Sequence, residues 1–170
     1  GLDLGPNHGS AYNLTCEEDT AFRRWLDDGT LPKAPEELEL AFFEATRAQF
    51  MTRGYGPYEI SNFARSGQVA HHNVNYWHNG PYLGVGPSAV SKVGIVRGGN
   101  VKSVGDYVRR IVEHGDARVW EEAPDALDRL RETWWLGLRL ADGLSPAEAR
   151  ARADYGPATD PLEPIAERLC

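Results

Sequence analysis

Apolar residues between positions 36 and 53 recur three and four apart: Leu38, Ala41, Phe42, Ala45, Ala48 and Met51. That spacing lays them along one stripe of an α-helix. Pro35 suits the first turn of such a helix, where the N–H it lacks would go unbonded. Gly54 suits the left-handed position past its end. Upstream, residues 8–15 read as a short strand leading into the acidic loop Glu17-Glu18-Asp19, and Phe22, Trp25 and Leu26 predict a helical turn closed at Gly29. Downstream, residues 58–63 alternate in character and predict a second strand. Strand, helix and strand in that order predict a βαβ crossover and a parallel sheet.

Residues 64–81 read as a long irregular stretch rich in His, Asn and Gly, and a loop of that length inside a compact domain is usually functional. Residues 82–97 are β-branched and punctuated by glycine, which predicts one or two strands. Beyond residue 101 the pattern turns helical. Ser103 with Asp106 three residues on predicts a capped helix start, and Gly115 its end. A further helix over 124–140 places Leu127, Leu130, Trp134 and Leu138 on one face, and Ser145-Pro146-Ala147-Glu148 starts another. The change of character sets the expected division near residue 100, with an α/β part over 1–100 and a helical part over 101–170.

Composition narrows the classes. At 170 residues, 41% hydrophobic and 10% aromatic, the chain has the make-up of a globular protein. A net charge of −7 argues against nucleic acid as a main partner, because phosphate binding needs a basic face. Local basic spots remain, and the stretch from Lys92 through Arg97 to Lys102 is one. No apolar run approaches the roughly 20 residues that span a bilayer. Residues 1–5 carry neither a basic region nor a cleavage site, so a cytoplasmic location is expected. The chain does not open on Met, which predicts a piece of a longer protein. Cys16 and Cys170 lie near opposite ends without CxxC spacing, and are expected to be reduced thiols rather than ligands of a zinc or iron–sulfur site.

The candidate chemistry gathers around His72. It is followed by Asn73, and by the aromatics Tyr76 and Trp77 four and five residues on. A neutral imidazole is a good axial ligand for heme iron, and flat aromatic walls suit a porphyrin face. The same residues also read as a loop cap with two aromatics simply packed. His71, His72 and His78 lie close together, but their spacing fits no zinc pattern. Gly84-x-Gly86-x-x-Ala89 lets a backbone approach a ligand closely. It makes a poor dinucleotide fingerprint, since no helix with a follow-up carboxylate comes after it. A tight turn accounts for it equally, as does backbone contact with an adenosyl cofactor at the end of a barrel strand.

The string over residues 58–89, YEISNFARSGQVAHHNVNYWHNGPYLGVGPSA, is similar to the signature of the radical S-adenosylmethionine (SAM) heme chaperones of the HemW type, relatives of oxygen-independent coproporphyrinogen III oxidase. The family's HNxxYW motif stands here as His72-Asn73-Val74-Asn75-Tyr76-Trp77. The segment from His8 to Phe22, the Gly29-x-Leu31-Pro32 turn and Gly137-Leu138-Arg139-Leu140 look like the same family, so the resemblance covers about residues 1–145. It implies an α/β fold, the C-terminal portion of a radical SAM (β/α)₆ partial TIM barrel followed by a helical C-terminal region. It implies heme on His72, with Asn73, Tyr76 and Trp77 around it, and S-adenosyl-L-methionine contacts at Gly84, Gly86, Ala89 and Val90. It also implies a [4Fe–4S] cluster on a CxxxCxxC signature that this chain does not contain, and transfer of heme to a heme-accepting protein at the membrane. Val90 departs from the chaperone pattern, which has His there, and looks more like the oxidase, whose radical chemistry decarboxylates porphyrinogen propionates. On this basis the chain alone is expected to be inactive in SAM cleavage, and missing barrel strands are expected to leave a sheet edge open to self-association.

Overall fold

The computed structural model describes residues 2–156, 159–166 and 168, and it divides into two compact units, Gly1–Ala70 and His71–Cys170.

The first unit opens on a 3₁₀ turn at Leu2–Leu4, followed by β1 (His8–Ser10), α1 (Ala21–Asp27), α2 (Glu36–Thr52), β2 (Gly56–Pro57) and β3 (Asn62–Ala64). Thr20 caps α1 by accepting from the Arg23 backbone N–H. In α2, Glu36, Glu37 and Glu39 put negative charge at the positive end of the helix dipole. Gly54, at φ 80°, takes the left-handed position just past the end. The helix is therefore the expected one, but its buried face is not. Phe50 is its one fully buried residue, while Leu38, Phe42 and Met51 of the predicted stripe are exposed. The Phe50 ring stacks on Phe63 at 4.2 Å and meets Tyr55 edge-on. Gly9 lies beneath it, so close that a Cβ there would come within 2.6 Å of the Phe50 ring.

The sheet order is β1-β3-β2, with β3 antiparallel to both neighbours. β1 and β2 thus run in the same direction, as a crossover through α2 requires, but β3 turns back between them. The expectation of a parallel sheet is corrected accordingly. Residues 58–61, read as the start of a strand, form the reversal instead. The Glu59 carboxylate accepts from the Ser61 backbone N–H at 2.7 Å and from the Asn62 amide at 2.6 Å, which bends the chain locally.

The second unit holds α3 (His71–Trp77), β4 (Val90–Val93), β5 (Val96–Asn100), α4 (Val104–His114), β6 (Arg118–Glu122), α5 (Ala126–Gly137), α6 (Pro146–Ala153) and α7 (Glu163–Ala166). β4 and β5 form a hairpin with a two-residue turn whose first residue, Gly94, sits at φ 61°. β6 adds antiparallel to β5. Trp120 of β6 lies across Gly99, where any Cβ would meet the indole at 2.3 Å. The caps at Ser103, Gly115 and Ser145 are all formed, the last as a reciprocal capping box with Glu148.

Leu130 and Trp134 of α5 are buried, with Leu127 and Leu138 packed beside them, so the predicted face is correct. Its partner is α6 rather than the α/β layer, because Ala149 and Ala153 are small enough to admit the indole. Trp134 Nε1 donates to the buried Asp160 carboxylate at 2.7 Å.

Truncating Trp134→Ala should cost about 3–5 kcal/mol through the cavity it leaves. Trp134→Phe should cost about 1–3 kcal/mol, because Asp160 keeps its burial and loses its donor. Urea unfolding followed by circular dichroism measures both. A second expectation concerns His78, whose pKa is held below its ordinary value by burial and by the nearby Arg152, against an opposing pull from Glu148. With the folded pKa depressed, the unfolded chain binds the proton first. Stability should therefore fall as pH drops below about 6.5, and His78→Gln should flatten that slope in melts between pH 5 and 8.

Candidate functional site

Residues 71–77, expected to be irregular, form α3, and the helix decides which motif residues meet. His72 and Tyr76 are one turn apart and share a face. Their rings touch edge-on at 4.7 Å, with His72 exposed in the first turn. Tyr82 arrives from the segment ahead of β4, where its backbone exchanges both hydrogen bonds with Lys92 at 2.9 and 2.8 Å. That pairing sets the Tyr82 ring 4.7 Å from Tyr76. The result is a row of three aromatic rings from two elements. Among the described residues, none hydrogen-bonds the ring nitrogens of His72 or the hydroxyls of Tyr76 and Tyr82.

Trp77 points elsewhere. The Arg139 guanidinium stacks over its ring at 4.5 Å, and its Nε1 is buried without an acceptor among the described residues. Trp77 thus anchors α3, while Asn73 is half-buried on the helix between the two faces. The far end of α3 is held by a clamp absent from the expected site. Asn79, left-handed at φ 56°, accepts from the Lys92 ammonium through its carbonyl at 2.9 Å and through its side-chain oxygen. Its amide donates to Thr133 of α5 at 3.0 Å. Burial pushes the Lys92 pKa down. The sequence signal for this clamp is Asn79-Gly80, a dipeptide that marks a turn.

Gly84 and Gly86 have specific backbone reasons. A Cβ on Gly84 would sit 2.2 Å from the Val90 carbonyl oxygen, and Gly86 is at φ 108°. Gly84 N–H donates to Ser91 Oγ at 2.9 Å, and Gly86 N–H donates to the Tyr107 hydroxyl at 3.2 Å. The Gly86 carbonyl accepts from Asn100 at 2.9 Å, and the Ala89 carbonyl accepts from the Asn100 N–H at 2.9 Å. Val90 opens β4, half-buried opposite Gly99. Gly84 thus admits the Val90 backbone, and Gly86 supplies a positive φ.

No three His, Cys, Asp or Glu side chains converge on a metal position among the described residues, which includes His71, His72 and His78. Cys16 is half-buried and unpaired, and Cys170 lies outside the described residues. An iron–sulfur cluster does not fit these ligands, and no step is derived through one. No described helix is long and apolar enough to cross a membrane.

No family model matches the chain. The chain is 34% identical over 163 residues to the heme chaperone HemW of Bacillus subtilis, covering 96% of this chain and 42% of that protein. Over that span the chain is a homologue of HemW. The chain is also 33% identical over 149 residues to HemW of Synechocystis, covering 86% of this chain and 36% of that protein. Bovine mitochondrial radical S-adenosyl methionine domain-containing protein 1 is 30% identical over 147 residues, covering 82% and 33%. The chain thus spans between 33% and 42% of the length of these three relatives. Among solved structures, coproporphyrinogen III oxidase (HemN) from Escherichia coli, a radical SAM enzyme, matches with a TM-score of 0.70 at 22% identity, covering 99% of this chain and 40% of that one. That likeness establishes the fold, which is the C-terminal portion of a HemN-like radical SAM architecture.

Adding one methyl group at Gly84 should be more damaging than its size implies. Gly84→Ala is expected to destabilise by about 1–3 kcal/mol, since the contact it creates is with backbone that cannot rotate away. Ser91→Ala, which removes only the acceptor for the Gly84 N–H, should cost about 1 kcal/mol. Urea midpoints of the two variants should rank in that order.

Proposed function

We propose that this chain is the heme-carrying portion of a cytoplasmic radical SAM heme chaperone, which holds heme or a related porphyrin on His72 and delivers it to a heme-accepting protein at the membrane. One observation supports this above the others. The histidine of the HNxxYW motif is exposed, its ring nitrogens have no hydrogen-bond partner among the described residues, and a row of aromatic rings begins at its edge. An imidazole so presented can donate to iron, and neighbouring rings can pack on a macrocycle. Asn73 and Trp77 support α3, and Gly84, Gly86, Ala89 and Val90 are the candidates for S-adenosyl-L-methionine contact in the complete protein. The [4Fe–4S] cluster belongs to other segments of that protein. In this reading residues 1–100 serve the barrel and residues 101–170 the helical region, and uncovered sheet edges drive self-association of the chain by itself.

The second reading is coproporphyrinogen III oxidase, and the observation in its favour is Val90, where the chaperone pattern has His. An assay of the full-length parent with SAM and coproporphyrinogen separates the two, since only the oxidase releases carbon dioxide from the propionates.

Hemin titration tests the proposed function directly. The chain should give a shifted Soret band at about one hemin per chain, His72→Ala should lose most of that shift, and His71→Ala should keep it. Equal spectra for wild type and His72→Ala would overturn the assignment. A further expectation is that the isolated chain cleaves no SAM. Anaerobic reconstitution with iron and sulfide should leave far less than one cubane per chain by iron analysis, because a cluster needs about three or four thiolates.

A further inference from the structure

We infer that Tyr82 binds the ligand as well, its hydroxyl donating a hydrogen bond to a propionate carboxylate of a tetrapyrrole ligated by His72. The inference rests on the heme reading of the site and adds to it the polar contact that orients the macrocycle.

A heme carries its metal at the centre and its two carboxylates on one edge. A site that fixes its orientation therefore needs a metal donor and, set apart from it, a hydrogen-bond donor for the carboxylates. The row His72–Tyr76–Tyr82 supplies both at its ends, with two ring steps of 4.7 Å between them. Tyr82 is held by its backbone pairing with Lys92, so its side chain is free of any structural hydrogen bond among the described residues. Residues that exchange both backbone bonds present their side chains on one face of a sheet. Tyr82 thus shares its face with Lys92, and with Arg97, which lies opposite Lys92 in the β4–β5 register.

The charges around that face permit a carboxylate. Arg97 engages both Glu122 and Glu132, at 2.6 and 2.9 Å, and with the Lys92 ammonium on the same face two cations balance these two carboxylates. The Lys92 ammonium donates to the backbone carbonyl and side-chain oxygen of Asn79, and among the described residues no carboxylate lies at hydrogen-bond range of it. Burial, with Tyr76 and Glu132 adding to it against Arg97, raises the Tyr82 pKa above its ordinary value. The hydroxyl accordingly stays protonated, and a donor, at neutral pH. A hydrogen bond to a charged acceptor is the stronger kind.

The test compares hemin with hemin dimethyl ester, whose propionates carry no charge, in absorbance titrations of wild type, Tyr82→Phe and His72→Ala. Tyr82→Phe keeps the ring and removes only the hydroxyl. It should weaken hemin about tenfold while leaving the ester within about twofold of wild type, and the Soret position should stay that of His72 ligation. Unchanged hemin affinity in Tyr82→Phe, or equal weakening of hemin and ester, overturns the inference while the loss in His72→Ala still upholds the heme site. No loss in His72→Ala overturns the heme reading, and this inference with it.

Discussion

A seven-residue helix has little stability of its own, since nucleation costs more than two turns of hydrogen bonds return. The position of α3, and of every motif residue on it, depends on how Lys92 holds its C-terminal end. The half-buried ammonium has lost much of its hydration, and the two oxygens of Asn79 replace part of it. Asn79 can offer both because it turns left-handed at the helix end, which also sends its amide to Thr133. One cation thereby ties three elements, α3, β4 and α5. The Arg139–Trp77 stack secures the last residue of the same helix, away from the His72 face. These two attachments leave His72 exposed, with Tyr76 and Tyr82 half-buried beside it.

The sheet beside it is organised by glycines that admit other groups. Gly99 makes room for the Trp120 indole and Gly84 for the Val90 backbone, while Gly86 and Gly94 supply positive φ where the chain reverses. Side chains then occupy the backbone donors of the loop, Ser91 at Gly84 and Tyr107 at Gly86. A loop bonded in this way is rigid before any ligand arrives. Rigidity at residues 84–90 carries directly into Tyr82, two residues upstream and paired to β4 itself.

Local signals were legible in the sequence and packing partners were not. Caps could be read from single residues: Ser103 and Ser145 each accept the hydrogen bond that their residue type and position call for. The α2 stripe was legible as helical but misleading as core, because Phe50 finds its partners in Phe63 and Tyr55, residues whose arrival the helix itself does not encode. The reversal at residues 58–61 was hidden for a related reason. It is made by the Glu59 side chain, with neither Gly nor Pro within those four residues. β6 was missed because five exposed residues between two helices carry no buried face to set a period. At the site, the HNxxYW motif pointed to His72 and Tyr76 but grouped Trp77 with them. Helical geometry separates Trp77 from that face and substitutes Tyr82.

The openness of the row also bears on the choice between carrying heme and transforming a porphyrin. Affinity for a flat apolar ligand comes mostly from the area it loses to water, so a macrocycle enclosed on both faces dissociates slowly. His72 is exposed, and the three rings of the row meet at interplanar angles of 81° and 60°. In the proposed heme reading, ligation there would derive its strength from the iron–imidazole bond and a propionate contact rather than from enclosure. A competing imidazole on an acceptor can approach such a heme from its uncovered side and displace His72 by exchange. Radical chemistry makes the opposite demand, because a reactive intermediate must be shielded from water and held rigidly against the cofactor. On the proposed reading, the exposed His72 imidazole suits a ligand that is handed on rather than one held for radical chemistry.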